Sequence, residues 1–181
     1  MFTYCTALTT APELPAKTLA ELCYCLMFSG CTALTTAPAL PAKSLAKSCY
    51  FQMFNGCTAL TMAPTLPAET LASFCYQGMF SGCSALTTAP ELPADTLAFG
   101  CYNEMFSGCT ALSSVTMLAT DVSAEMCLEN WLYDAGTNDQ GYPTLTLYNS
   151  EVYNQIQEQI NNNNFNYLPE LWSYKIRYKY Q

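Results

Sequence analysis

Hydrophobic and polar residues follow a 26-residue pattern that recurs five times along the first 130 residues. The copies, numbered here as units one to five, begin at Met1, Met27, Met53, Met79 and Met105. In every unit the second residue is Phe, the fifth and twenty-third are Cys, and the eighth and fourteenth are Leu. Stacked units would align each of these positions, with neighbours about 4.8 Å apart where strands pair. We therefore predict that each invariant position forms a buried stripe.

Unit two illustrates the elements that one unit predicts. Residues 33–37 have the pattern of a short strand, and two prolines follow it, which end a strand because proline cannot donate to a sheet. Residues 44–54 change to a helical spacing, with an apolar residue at every fourth position: Leu45, Cys49 and Met53. Ser44 stands where a helix N-cap belongs. The sequence thus predicts one short strand and one short helix per unit.

The segment that begins at Met27, MFSGCTALTTAP, resembles the BspA-like leucine-rich repeats of bacterial surface proteins. Those repeats share an aromatic-x-Gly-Cys-x-x-Leu core and a downstream proline, and the resemblance covers residues 1–130. It implies an α/β repeat solenoid: a right-handed leucine-rich-repeat solenoid of short strands and short helices. By analogy it also implies adhesion or protein binding at a cell surface, with no catalytic residues and no cofactor.

Residues 131–181 match no repeat and are predicted to form a C-terminal α+β cap. Residues 142–148 have the pattern of a strand, and Ser150 could cap a helix that presents Val152, Ile156 and Ile160 on one face. Residues 172–180 alternate apolar and polar side chains, as a half-buried strand does. The side chains expected to face the core are Trp172, Tyr174, Ile176, Tyr178 and Tyr180. Unit five has lost its prolines, which is typical of an atypical closing repeat.

Composition excludes several classes of function. The chain is 51% hydrophobic and carries a net charge of −8, which disfavours binding to nucleic acid or to anionic membranes. It has no His, so His-dependent catalytic triads and His metal ligands are excluded. No apolar run is long enough to span a membrane, so membrane insertion is not expected. The first residues show no signal-peptide pattern, and Met1 fits both a natural start and a fragment boundary.

Ten of the eleven cysteines occupy positions 5 and 23 of the units, and Cys25 is the extra one. They could be buried thiols that pack as small apolar residues in rows. Disulfides between stacked units are sterically possible, although the odd count makes a pairing scheme awkward. Zinc spacing is absent, because Cys23 and Cys25 do not form a CxxC pair. Buried thiols are the preferred interpretation, and no metal site is predicted.

Eight residues are candidates for contact with a partner. The predicted outer face of the helices carries Leu22, Phe51, Phe74 and Phe99, which are either scattered surface hydrophobes or a binding stripe. Leu22 and Leu26 also make unit one more apolar than later units, where an exposed end would need a polar cap. The final strand carries three cations, which either protect a sheet edge or dock an acidic partner: Lys175, Arg177 and Lys179.

Two functions remain open from the sequence. The first is a non-enzymatic binding or adhesion module that contacts a protein or a glycan at a bacterial surface. The second is a structural, decoration or fibre subunit of a virus particle that infects bacteria, docked through unit one. Ice binding through threonine positions is disfavoured because Met62 and Ser84 interrupt the threonine array. Extracellular, cell-surface or virion locations follow from these readings, and self-association is compatible with both.

Overall fold

A computed structural model describes residues 1–138, 143–163 and 172–176, with side chains except at 160–163 and 174–176. This part of the chain contains three short strands, β1 (Ser114–Met117), β2 (Thr144–Leu147) and β3 (Ser173–Ile176). It contains one helix, α1 (Ser150–Asn163). Regular elements are therefore few, and the repeat region is built mainly from turns whose side chains stack at intervals of 26 residues.

Aromatic side chains from successive units stack face to face. The Phe rings at position 2 lie 5.6–5.7 Å apart and the Tyr rings at position 24 lie 5.7–6.1 Å apart, centroid to centroid. The Leu side chains at position 14 are buried in every unit, from Leu14 to Leu118. Stacked rings and buried leucines exclude water along the whole repeat region, which is the main stabilising term of such a core. The predicted buried stripes are confirmed for position 14 in every unit and for position 2 in units two to five, whereas the Tyr row at position 24 is not among the stripes that the sequence predicts.

A parallel ladder runs along one side of the stack. Single residues bridge the first units at position 10: Thr10, Thr36, Met62, Thr88 and Ser114. The predicted strand at 33–37 is thus wrong in extent, since unit two contributes one bridging residue there. Unit five lacks the prolines that interrupt pairing in the other units, and only there does the bridge extend into a strand, β1. β2 pairs in parallel with β1, and β3 pairs in parallel with β2.

The predicted helix at 44–54 is wrong. The N–H of Cys49 donates to Ala46 (3.3 Å) and that of Phe51 to Ser48 (3.2 Å), which closes consecutive turns. The alternate N–H groups leave the unit: Tyr50 donates to Cys75 of unit three at 3.0 Å. An α-helix needs every N–H for its own carbonyls, so these pairings between units exclude it. Ser44 caps no helix and instead bridges Thr70.

Residues 47–56 form a run of consecutive turns, which we call the turn ribbon. Every fourth residue of the turn ribbon has a left-handed backbone. Ser48 and Gln52 have φ of 51° and 50°, and Gly56 has φ of 70°. The same three positions, 22, 26 and 4 of the repeat, are left-handed in the other units. Glycine adopts this region without strain, whereas a bulky side chain there costs free energy.

The stack continues past residue 130. Phe106 donates to the Trp131 carbonyl at 2.9 Å and Gly108 to that of Tyr133 at 2.7 Å, as between earlier units. Trp131 and Leu132 are fully buried against unit five. The division of the chain into repeats at 1–130 and a cap at 131–181 stays a prediction.

The helix α1 packs against the end of the stack. Its predicted apolar face is confirmed where side chains are described, since Val152 and Ile156 are fully buried. The cap differs from the prediction: the Asn149 side chain, not that of Ser150, accepts the N–H of Val152 (3.0 Å). The Gln159 side chain donates to the Val122 carbonyl at 2.6 Å. This bond joins α1 to unit five.

The last strand lies inside the predicted segment 172–180. Trp172, just before β3, is buried as predicted, and its indole N–H donates to the Ala135 carbonyl at 3.1 Å. Tyr178 and Tyr180 lie outside the described residues, as do the side chains of Tyr174 and Ile176. Their predicted orientation toward the core stays a prediction.

Candidate functional site

The cysteines at position 5 of units two to five are hydrogen-bonded thiols. The Cys57 thiol donates to the Phe28 carbonyl of the preceding unit at 3.1 Å, and the same contact is made by Cys31, Cys83 and Cys109. All eleven cysteines are free, and eight of them are buried. The interpretation of the rows as buried thiols is confirmed. Sequence reasoning missed the donor role, although the constant pairing of Phe at position 2 with Cys at position 5 was a signal for it.

Burial suppresses the reactivity of these thiols. It raises the pKa of Cys49, Cys57, Cys75, Cys109 and Cys127 to about 12. Burial also raises the pKa of the Tyr76 and Tyr102 hydroxyls well above the usual value. The thiolate is the nucleophilic form of cysteine, so the buried thiols are chemically inert near neutral pH.

Other titratable groups do not converge on a reaction centre. Among residues 1–138, 143–163 and 172–176, no three His, Cys, Asp or Glu side chains are placed to hold a metal ion. Lys47 and Glu21 form an ion pair of 3.3 Å that is open to solvent on both sides. Asn103 bridges Gln77 (3.1 Å) and Glu129 (3.0 Å) in a ladder across three units. Burial raises the pKa of Glu129, and the negative charge of the nearby Glu104 raises it further. These contacts link units to each other.

Shallow grooves run between units where the prolines lie. One of about 390 Å³ is lined by Pro64, Pro67, Pro90 and Pro93 together with leucine and acidic side chains. Another, of about 350 Å³, lies between the prolines of units one and two. Such grooves offer apolar contact to an extended ligand, but few polar groups to orient a small one.

The predicted outer stripe is divided between several positions. Phe74 and Phe99 pack edge to face, with ring centroids 5.0 Å apart, and both are half-buried. Phe51 is also half-buried and lies at a different position of the repeat. Leu22 is 53% exposed and Leu26 is half-buried, both in unit one. The structure thus brings two of the predicted residues into direct contact with each other.

Several left-handed positions pair a large side chain with a glycine in the next unit. The Phe74 ring lies over Gly100, the Tyr4 ring lies over Gly30, and the Gln52 side chain lies over Gly78. A Cβ atom added at any of these glycines would overlap the covering side chain. These contacts hold side chains down on the outer surface of the stack.

Unit one differs from the other four units in having a large side chain, and no glycine, Ser or Asn, at all three left-handed positions. Tyr4, Leu22 and Leu26 all have φ between 56° and 59°. A bulky residue in this region costs about 1–2 kcal/mol relative to glycine. Tyr4 is 75% exposed and Leu22 is 53% exposed, so burial within the chain offsets little of that cost. Gly100 takes the place of Leu22 in unit four, which shows that the backbone accepts glycine there.

The cationic residues at the C-terminus lie at or beyond the edge of the described chain. Lys175 belongs to β3, and its side chain is not described. Arg177 and Lys179 lie outside the described residues. Their predicted role in partner contact stays a prediction. In the part of the chain that the structure describes, no helix has the length and apolarity required to cross a membrane.

Comparison with known proteins adds no relative to this picture. No protein-family model matches the chain, and no curated protein or solved structure is significantly similar to it. The exposed apolar side chains of unit one and the Phe74–Phe99 pair are therefore the surfaces on which a functional interpretation rests.

Proposed function

We propose that the chain is a non-enzymatic leucine-rich-repeat module that binds another protein, with a glycan as the other ligand class to test. In this proposal its units form a right-handed solenoid of the BspA-like kind, and its site of action is a bacterial surface. The stacked units and the eight buried, unreactive thiols support a scaffold role, because they build a regular surface from repeated contacts.

The observation that carries this proposal is the backbone of Leu22. Its φ of 59° is unfavourable for a branched side chain, and 53% of the residue remains exposed. Residues held in sparsely populated backbone regions cluster at functional sites in proteins. An external partner that buries Leu22, together with neighbouring Tyr4 and Leu26, would offset the cost.

The experiment measures retention of fluorescently labelled chain on intact bacterial cells by flow cytometry. Leu22→Glu should reduce retention strongly, because it places a charge where apolar contact is expected. Met62→Glu is the matched control, since Met62 is an apolar residue 65% exposed and lies in unit three. Equal retention of both variants would contradict a role for Leu22, and no retention of the wild-type chain would contradict bacterial adhesion.

A second candidate is a structural or decoration subunit of a virus particle, docked through unit one. It is favoured by the high exposure of the apolar side chains Tyr4 (75%) and Leu22 (53%) in unit one. This function predicts binding to other particle subunits and no retention on cells. Cosedimentation of the labelled chain with particle components, compared with cells in the same buffer, distinguishes the two.

A further inference from the structure

A third groove lies between units one and two, and its polar lining distinguishes it from the proline grooves. It has a volume of about 620 Å³ and is lined by the ammonium groups of Lys17 and Lys43 and by the hydroxyls of Thr18 and Ser44. Leucine and proline side chains form its apolar walls, and no Asp or Glu lines it. We call it the lysine groove. It holds two of the three cationic side chains that the structure describes.

The lysine groove is open because the backbones of units one and two do not pair there. At the next junction, the N–H groups of Glu69 and Thr70 both donate to the Lys43 carbonyl, at 3.1 and 3.3 Å. The equivalent bonds from Lys43 and Ser44 to the Lys17 carbonyl are not formed. By equivalence, the N–H groups of Lys43 and Ser44 point toward unit one, across the groove. They have no backbone acceptor among the described residues.

The same opening of the backbone recurs inside the stack, between units three and four. Thr70 and Thr96 form no bridge with each other, although each of them bridges a residue on its other side. The opening is therefore not a consequence of where the stack ends. Position 17 differs at the second opening, where Glu69 and Asp95 replace the lysines. Only the opening between units one and two combines unpaired N–H groups with cationic side chains.

We propose that the lysine groove binds a small acidic saccharide through its carboxylate or sulfate group. Adjacent backbone N–H groups that point the same way form a concavity for an anion, and ammonium groups strengthen such contacts. The anion would accept from the N–H groups of Lys43 and Ser44, while the Thr18 hydroxyl and the Leu45 side chain contact the sugar. This site goes beyond the proposed protein-binding function, because Leu22 does not line the groove.

The distribution of charge limits the length of the ligand. Position 17 carries Lys in units one and two and an acid in each later unit: Glu69, Asp95 and Asp121. A long polyanion that followed this row would be repelled from unit three onward. The anionic groups of the ligand must therefore fit within the span of two adjacent units. A phosphorylated peptide is also a short anion, but it brings fewer hydroxyls for Thr18 and Ser44, and the test includes it as the alternative.

Isothermal titration calorimetry of the full chain provides the first arm of the test. The probe is a disaccharide of a uronic acid and a sulfated hexosamine. Lys17→Gln and Lys43→Gln should each weaken its binding by about tenfold, because each removes a charged contact. Lys47→Gln is the matched control, since Lys47 pairs with Glu21 outside the groove and the charge change is the same. It should change the affinity by less than about twofold.

Three outcomes of this arm would overturn the proposal. The first is no binding of the probe by the wild-type chain, and the second is an equal loss of affinity in all three lysine variants. The third is equal or tighter binding of a comparison ligand at matched ionic strength. The comparison ligands are the neutral disaccharide, inorganic sulfate and a phosphoserine peptide. Equal binding of sulfate would indicate an adventitious ion only.

Hydrogen exchange followed by NMR supplies the second arm. The amides of Lys43 and Ser44 should exchange rapidly in the free chain, and the saturating probe should slow them by about tenfold or more. The amides of Glu69 and Thr70 are the internal control, because they are already bonded to Lys43. Unchanged exchange at Lys43 and Ser44 would overturn their role in holding the anion. The cell-retention assay examines Leu22, so that function and this site can fail separately.

Discussion

The pairing of Phe74 with Gly100 predicts a large difference between two glycine substitutions. Gly100 and Gly82 both have left-handed backbones, with φ of 59° and 73°. A Cβ at Gly82 would lie 3.6 Å from the nearest atoms of Gly56, which is ordinary contact. A Cβ at Gly100 would lie 2.5 Å from Cδ1 of Phe74, so the ring has to move. Gly82→Ala therefore measures backbone strain alone, and Gly100→Ala measures strain plus overlap.

The expected magnitudes follow from these two terms. Left-handed strain should cost each variant about 1–2 kcal/mol of unfolding free energy. Overlap should cost Gly100→Ala about 1–3 kcal/mol more, because Phe74 is held by its edge-to-face contact with Phe99. For a chain of this length, 1 kcal/mol corresponds to a shift in Tm of about 2–4 °C. Gly100→Ala should therefore melt measurably below Gly82→Ala.

Urea unfolding followed by circular dichroism provides the assay, with each glycine substitution made in the wild-type chain and in Phe74→Ala. Removing the ring should reduce the cost of Gly100→Ala to that of Gly82→Ala, whereas the cost of Gly82→Ala should not change. Equal costs in the wild-type background would refute the overlap. A gap that persists in Phe74→Ala would show that another contact causes it.

Three further predictions follow from the buried thiols and from the cap of α1. Above about pH 9 the unfolded chain loses thiol protons that the folded chain keeps, so stability falls as the pH rises toward 12. At about 1.4 kcal/mol per thiol, the five thiols together lower the free energy of unfolding by about 7 kcal/mol at pH 10. A circular dichroism titration should show unfolding near that pH, and a fold that persists through pH 11 would contradict the burial. Alkylation of the native chain should label Cys5 and Cys23 and spare Cys75 and Cys101, as mapped by mass spectrometry; uniform labelling would contradict the stacked core. Hydrogen exchange should show that Asn149→Ala destabilises α1 by about 1 kcal/mol and that Asn149→Asp does not. Equal effects of the two variants would argue against Asn149 as the N-cap of α1.

Repeat spacing was predictable because stacking requires it. A side chain buried between two units must fit the same neighbours in each unit, so Phe28 and Phe54 occupy one chemical environment. The strand β2 and the helix α1 were also predictable, since alternation and four-residue spacing are local signals. The exact N-cap residue of α1 and the strand limits were less predictable. For the N-cap, the reason is that Asn149 and Ser150 are both good N-cap residues.

The turn ribbon was not predictable by the same rule. In unit two it buries the adjacent apolar pairs Cys49–Tyr50 and Met53–Phe54, which lie four residues apart. Over eight residues this period of four matches the apolar spacing of a helix, whose period is about 3.6. The distinguishing signals are the buried pair, where a helix of this kind buries single positions, and the recurrence of glycine at left-handed positions. Where N–H groups go depends on the neighbouring unit, which no window within one unit contains.

The two ends of the stack link this architecture to function. Turns that send half of their N–H groups to the next unit leave every unit with a donor side and an acceptor side. A stack of such units is polar in direction, and each end needs a different kind of cover. At the C-terminal end, Gln155 and Gln159 of α1 satisfy both the N–H and the carbonyl of Val122. At the other end of the stack, five carbonyls of unit one accept no backbone N–H from any described residue: Met1, Thr3, Glu21, Cys23 and Cys25. A partner that displaces water from those carbonyls must supply N–H or O–H donors, so the direction of the stack determines the hydrogen bonds that such a partner has to make.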